Sequence, residues 1–232
     1  MTRNEPAAAA ADSPSWRELA VARSLDPARA RAEQRVQRFL DAALELMTQD
    51  PGKDFTVQEV VERSGQSLRG FYQYFAGKHE LLLALFEESV RSTAEHLRES
   101  IEGIDDPFER LHTFVVEHYV LCRPVAKGKP PKNIPSPAMA EFAQQLLTEH
   151  PKEASRAFVP VMSLFIELLD DASDAGVIRK GLDNRELAGV LLQAIMFNAF
   201  SATISGTPVR SDGAASAEQL WDVLLRGIGP DR

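Results

Sequence analysis

The sequence predicts an all-α protein in two parts, a small helical domain near its start and a larger helical domain after it. Three observations carry that expectation. Apolar residues recur at three- and four-residue spacing along most of the 232 residues, the period of a helix face. Pro, Gly and cap-forming residues break that pattern into segments of helical length. No alternating apolar/polar run of useful strand length appears.

Composition narrows the class. With 44% hydrophobic and 26% charged residues the chain has material for a true core. One cysteine, Cys122, excludes an internal disulfide. The longest unbroken apolar stretch, LLLALF at 81–86, falls far short of the roughly 18 residues a membrane span needs. The alanine run at 7–11 is too short and too weakly apolar for a signal peptide. The expectation is a cytoplasmic protein with no membrane partner. The net charge of −8 argues against nucleic acid as a partner, but its distribution argues the other way. Residues 1–80 hold 11 Lys/Arg against 12 Asp/Glu, whereas 81–232 hold 15 against 22. Residues 63–79 contain three basic side chains and no acid.

Residues 1–32 read as an N-terminal extension. Its first 15 residues are Ala-rich and aperiodic, the composition of a disordered tail. A short helix from Trp16 is expected to end at Asp26-Pro27, because the residue before proline is pushed out of the helical region. Arg17, Arg23, Arg29, Arg31, Arg35 and Arg38 string along the approach to the next helix. They read either as a solvated face or as an arm that touches DNA phosphate or a minor groove.

Residues 33–80 form the first domain. Val36, Phe39, Leu40, Ala43, Leu44 and Met47 make one helical stripe, which Asp50-Pro51-Gly52 ends. Thr56 and Glu59 have the spacing of a capping box, opening a short second helix with Val57, Val60 and Val61 on its core face. Gly65 suits the left-handed turn that stops it. Ser67 then caps a third helix, expected over 68–75. Two short helices about a Gly-containing turn are the helix-turn-helix signature. Ala76-Gly77 breaks the chain again before a long amphipathic helix over 78–101, apolar at Leu81, Leu82, Leu85, Phe86 and Val90.

The third helix has the chemistry of a reading head. A step of about 100° per residue places Leu68, Phe71, Tyr72 and Phe75 on one side. Arg69, Gly70, Gln73 and Tyr74 fall on the other. Arg69 can donate in a fork to guanine and Gln73 can pair with adenine. Gly70 allows close backbone approach. Tyr72, Tyr74 and Lys78 can bond phosphates and so position the helix.

The segment FTVQEVVERSGQSLRGFYQYFAGKHELLLAL resembles the DNA-binding region of the tetracycline-repressor (TetR/AcrR) family of bacterial transcriptional regulators. The resemblance covers about 50 residues, 35–86. It implies a three-helix DNA-binding domain, a long connecting helix and an all-α effector domain that dimerises. It also implies that Thr56, Ser67, Leu68, Arg69, Gly70, Tyr72, Gln73, Tyr74 and Lys78 occupy DNA-touching positions, to which the basic approach adds Arg35. The chain departs from the family pattern at Gln66, where a valine is common, and at Leu68, where a polar or basic residue is common. The helical wheel turns Leu68 toward the core, whereas the resemblance sets it near the groove, against a thymine methyl.

Residues 81–228 are expected to form a ligand-binding and dimerisation domain. Asp106-Pro107 opens a helix that ends near Pro124, and residues 124–137 form a Pro-rich loop with Lys127, Lys129 and Lys132. Helices follow at about 138–149, 153–175, 184–205 and 216–228, the last two capped by Asn184 and Ser216. Phe114, His118, Tyr119, Cys122, Phe158, Met162, Phe165, Gln193 and Phe197 offer an apolar pocket with sparse polar groups, or ordinary core. Leu187, Leu191, Asn198 and Ala202, with Leu220 and Leu224, offer a face for a four-helix bundle across a two-fold axis, or an intrachain core.

Catalytic signatures are missing: no Gly-rich phosphate loop, nucleophile elbow or zincin pair occurs. The five histidines and single cysteine show no familiar metal spacing, so no enzyme activity, metal or cofactor is expected. The function these observations imply is a dimeric repressor on a palindromic operator in double-stranded DNA, released by a small apolar or amphipathic effector. The alternative is a DNA-binding regulator without such an effector, controlled by a protein partner.

Overall fold

The computed structural model describes residues 16–49, 54–122, 137–204 and 213–229, and among them every regular element is a helix. Residues 1–15, the Asp50-Pro51-Gly52 break and the Lys127, Lys129 and Lys132 loop lie outside the described residues. So do the side chains of Arg17, Arg23, Asn198 and Ala202.

The first helix, α1 (Trp16–Gln49), corrects one expectation: Pro27 lies inside it. Proline forfeits one backbone bond and crowds the preceding turn, at about 3 kcal/mol. Here it is flanked by Ala, Arg and Leu, good helix formers, and residues 26–30 face solvent where the turn can relax. The boundary expected at residue 32 therefore falls within a continuous helix. The C-terminal half of α1 buries Phe39, Leu40, Ala42, Ala43 and Met47, as its stripe requires.

The next two helices, α2 (Val57–Ser64) and α3 (Leu68–Tyr72), close the small domain. Thr56 and Glu59 form the expected capping box: the Glu59 N–H donates to Thr56 Oγ1 at 3.2 Å, and the Thr56 N–H donates to Glu59 Oε2 at 2.7 Å. Gly65 stops α2 at φ 64°, a left-handed conformation that costs glycine nothing. Ser67 caps α3 by accepting from the Gly70 N–H at 3.0 Å. A Cβ at residue 70 would meet that same hydroxyl oxygen at 3.1 Å, so glycine there leaves the cap room.

Helix α4 (Lys78–Ser100) packs on α1 at its start and on later helices beyond, so the boundary expected at 80/81 also falls within one helix. Asp106 caps α5 (Pro107–Leu121) by accepting from the Phe108 N–H at 3.2 Å, with Pro107 in the first turn. Then come α6 (Pro137–Glu149), α7 (Pro151–Ala157), α8 (Val159–Asp174), α9 (Asn184–Ile204) and α10 (Gly213–Ile228).

Three further corrections follow from local chemistry. The single helix expected at 153–175 is two, α7 and α8, because Pro160 has no N–H for the preceding turn and sits in the first turn of a new helix. Asn184 does not cap α9. Asp183 does, its Oδ1 accepting from the Arg185 and Glu186 N–H groups at 2.9 and 3.1 Å. Helix α10 begins at Gly213, ahead of Ser216.

One apolar core runs through both halves. In the small domain Phe39 meets Phe71 edge-on at 5.4 Å and Phe75 at 6.2 Å. In the larger half Phe114 stacks on Phe165 at 4.6 Å among Leu111, Leu164, Leu168 and Leu169. Burying such aromatic pairs adds about 0.5–1.5 kcal/mol beyond their area. At the far end the Arg179 N–H donates to the Ile228 carbonyl at 2.8 Å, fastening α10 to the turn after α8.

Candidate functional site

The α2–turn–α3 unit stands on the outside of the small domain, tied in through Phe71 and Phe75, which are 0% and 6% exposed. The helix itself is shorter than the expected 68–75. After Tyr72 the chain tightens, the Gln73 and Tyr74 N–H groups donating to the Gly70 and Phe71 carbonyls three residues back. In such a turn residues three apart eclipse one another. That swings Tyr74 toward the side of Phe71, where it packs partly buried against the core rather than facing outward.

Leu68 and Tyr72 move the opposite way. The wheel turns both inward, yet they are 43% and 57% exposed, because Phe71 and Phe75 fill the contact with α1 between them. Arg69 and Gln73 are exposed as expected, and among the described residues neither has a partner. Thr56, Ser67 and Arg35 are exposed as well, and Gly70 is half-buried.

Two basic residues of this region are engaged. Arg63 donates to Glu45 at 3.3 Å and to Gln49 at 3.0 Å, tying α2 to α1. Lys78 pairs with Asp54 and lies over the Phe55 ring, 4.4 Å from its centroid. The Lys78 ammonium hydrogen-bonded to Asp54 holds that carboxyl below the usual carboxylate range. A phosphate contact by Lys78 would therefore share or displace Asp54. Among the described residues the outer face keeps Arg69 as its free cation, with Gln73, Ser67 and Tyr72 as neutral donors, while Thr56 spends its hydroxyl proton on Glu59 Oε2 at 2.9 Å.

The larger half holds a partly open cavity of about 40 Å³ lined by Phe86, Ser89, Val90, Thr93, His118, Leu121, Cys122, Phe158, Val161 and Met196. Of the nine expected lining residues, His118, Cys122 and Phe158 are there. Phe114, Tyr119 and Phe165 are packed in the core and Met162 borders it. Gln193 and Phe197 point outward, Phe197 being 71% exposed. Helix α9 is apolar on nearly every side, so spacing alone could not orient it; it presents Met196 to the cavity instead. The α4 lining residues Phe86, Ser89, Val90 and Thr93 are not among the expected ones: Phe86 and Val90 read as part of that helix's apolar face, and Ser89 and Thr93 carry no apolar signal.

The cavity is apolar apart from a few groups. Thr93 Oγ1 is spent on the Ser89 carbonyl at 2.9 Å. His118 is 4% exposed, its Nδ1 has no partner, and burial pushes its pKa down to about 4. It is therefore a neutral imidazole with an open hydrogen-bonding atom. Burial pushes the Cys122 thiol up to about 12, so it stays protonated and is no nucleophile.

The expected association face is also rearranged. Leu191 is 5% exposed and belongs to the protomer's own core, while Leu187, Leu220 and Leu224 are half-buried. The exposed large apolar residues here are instead Val190 and Phe197 of α9 and Val223 of α10, each more than 60% exposed. No described helix is long and apolar enough to cross a membrane.

Comparison with known proteins fits this arrangement. The model of the bacterial regulatory proteins of the tetR family matches residues 39–85, the span from the buried end of α1 into α4. The chain is 22% identical over 194 residues to the fatty acid metabolism regulator protein of Bacillus subtilis (strain 168), covering 82% of this chain and 94% of that one. Its fold is that of FadR from Bacillus subtilis solved in complex with stearoyl-CoA, at a TM-score of 0.64 and 20% identity, over 83% of this chain and 98% of that one. A TetR-family regulator from Pectobacterium atrosepticum superposes at a TM-score of 0.66 with 18% identity, over 88% and 98% of the two chains. These relatives are transcriptional regulators, not enzymes. With its helix-turn-helix built as described, the segment 39–85 is that of the tetR family of bacterial regulatory proteins.

Proposed function

We propose that the chain is a dimeric repressor whose α3 enters the major groove and reads bases with Arg69 and Gln73. The observation that carries this reading is the outer face of α3: a free guanidinium and a free amide on a helix held only through its opposite side. Thr56, Ser67, Gly70, Tyr72 and Lys78 serve as phosphate-positioning groups, Leu68 as an apolar contact to a base edge, and Arg35 as a flanking cation. Tyr74, half-buried, contributes its hydroxyl from the edge. Residues 33–80 act as the DNA-binding unit and 81–228 as the effector and pairing unit, joined by the continuous α4.

The exposed Val190, Phe197 and Val223 side chains support pairing with a second copy through α9 and α10. Two α3 helices would then engage half-sites of a palindrome roughly 34–36 Å apart or a multiple of it. The effector is a long apolar chain with an anionic head, the acyl-CoA class. Support comes from the stearoyl-CoA held by the Bacillus subtilis relative and from the apolar cavity around His118. Ligand sites commonly measure about 300–1,000 Å³. At about 40 Å³ the cavity holds a water or two, so an effector enters only as α4, α5 and α8 part around it. That parting shifts α4 and with it the spacing of the two reading heads.

Fluorescence anisotropy on DNA from beside the gene tests this, with a scrambled duplex as control and salt held fixed. Preference for the native duplex, relieved by stearoyl-CoA, is the expected result. Preference that no acyl-CoA relieves, with no thermal stabilisation by any of them, would leave the partner-controlled alternative. No preference at all would remove the repressor reading.

A further inference from the structure

The fold brings together three residues that no spacing in the sequence connects: His79 in the first turn of α4, His150 at the corner between α6 and α7, and Glu153 in the first turn of α7. One donor atom from each lies within 4.8 Å of the other two. His79 Nε2 is 2.9 Å from Glu153 Oε2, and His150 Nδ1 is 3.8 Å from Glu153 Oε1. Donors on a tetrahedral zinc ion, bonded at 2.0–2.2 Å, stand about 3.3 Å apart. The set is thus near its bound geometry and needs only side-chain adjustment to close.

We propose that His79, His150 and Glu153 form a binding site for one divalent transition-metal ion, zinc foremost, that clamps the reading head to the effector half. Two imidazoles and one carboxylate select zinc, nickel or copper over magnesium and calcium, which take oxygen donors. The surroundings hold the donors in place. The His79 ring packs edge-on against Phe142 at 5.7 Å and lies 4.7 Å from the His150 ring. His150 is fixed through its backbone, its N–H donating to the Leu146 carbonyl at 2.9 Å and its own carbonyl accepting from Ala154 at 3.0 Å. Of the neighbouring charges, Arg156 pairs with Glu87 at 3.0 Å, and Glu80 accepts from the Ala76 N–H at 2.6 Å. A hydrogen bond between His79 and Glu153 needs no second imidazole; His150 is what turns a pair into a three-donor set. All three side chains are partly exposed, so an ion has access and water can fill a fourth position.

The location gives the ion its role. His79 follows directly on Lys78, at the end of the reading head, whereas His150 and Glu153 sit on elements packed against the effector half. A bound ion would restrain the head's angle on α4. This second part rests on the DNA-binding reading; the metal site itself does not.

Calorimetric titration of tag-free, chelator-treated full-length protein with ZnSO₄, repeated with CoCl₂ and its visible absorption, tests the site without DNA. One ion per chain is expected, with the intense spectrum of a four-coordinate cobalt centre. His150→Ala and Glu153→Gln should each weaken binding by more than about tenfold while leaving metal-free thermal melting and metal-free DNA binding unchanged. Zinc affinity that survives in both variants, or no stoichiometric binding to wild type, would overturn the site. For the clamp, saturating zinc should change wild-type affinity for the native duplex about fivefold or more, and the His150→Ala protein not at all. Zinc binding with unchanged DNA affinity would overturn the clamp and leave the site.

Discussion

Arg69 stands free on a helix whose opposite side is closed by Phe71 and Phe75, so its removal should disturb recognition without disturbing the fold. Arg69→Ala is expected to cost about 1–3 kcal/mol on the preferred duplex and to relax base choice at one position, whereas random-sequence binding should fall much less. Equal losses on both duplexes in anisotropy titrations would reassign Arg69 to phosphate. Phe71 is the converse case: Phe71→Ala empties a site that Phe39 and Phe75 cannot refill and should cost about 3–5 kcal/mol in urea unfolding. His118 adds a pH dependence. Its pKa is about 4 in the folded chain against about 6.5 when unfolded. Between those values the unfolded chain binds the extra proton. The contribution of His118 is thus fully present above about pH 6.5 and is lost as pH falls toward 4, by about 3 kcal/mol in all. Urea melts across that range should show a shallower slope for His118→Leu than for wild type.

At the scale of elements the caps are what a reader of the sequence could see best. The Thr56–Glu59 box, Gly65, Ser67 and Asp106-Pro107 each announce a helix end through local chemistry, and each stands where it was expected. Thr56→Val should therefore cost about 1 kcal/mol and weaken DNA binding by loosening α2, both readable by parallel melting and anisotropy. Prolines misled in both directions. Pro27 rides inside an exposed helix, where its cost is bearable, while Pro160 splits what periodicity joined. Residue type was the same; solvent exposure and the neighbouring turns decided the outcome. Past the end of α3 the constant step of about 100° per residue no longer holds, and the tightened turn at Gln73 and Tyr74 brings Tyr74 in.

For the whole molecule, legibility fades with sequence distance. The small domain could be read because its recognition face lies within a few consecutive turns. The cavity gathers α4, α5, α8 and α9, and helices apolar on most sides carry no signal of rotation; Met196 and Phe197 are neighbours with opposite fates. Leu191 illustrates the same limit, an expected association residue that the protomer keeps for itself. Association should depend instead on the exposed Val190 and Phe197 of α9 and Val223 of α10. Val190→Glu with Phe197→Glu is expected to convert a dimer to single chains of 25.6 kDa in light scattering, with operator affinity lost in step. A variant that stays dimeric would place the contact elsewhere.

The tight packing around His118 also sets a clock. If the chain must first open before a long acyl chain can slide between α4, α5 and α8, uptake cannot be faster than opening. Stopped-flow traces at rising stearoyl-CoA should then level off at a ceiling that belongs to the protein alone. Substituting Phe86 or Phe158, whose rings meet edge-on at 5.3 Å across the cavity wall, with leucine should raise that ceiling while leaving the reading head untouched. The speed at which such a regulator lets go of its gene would be written in two phenylalanines far from the DNA.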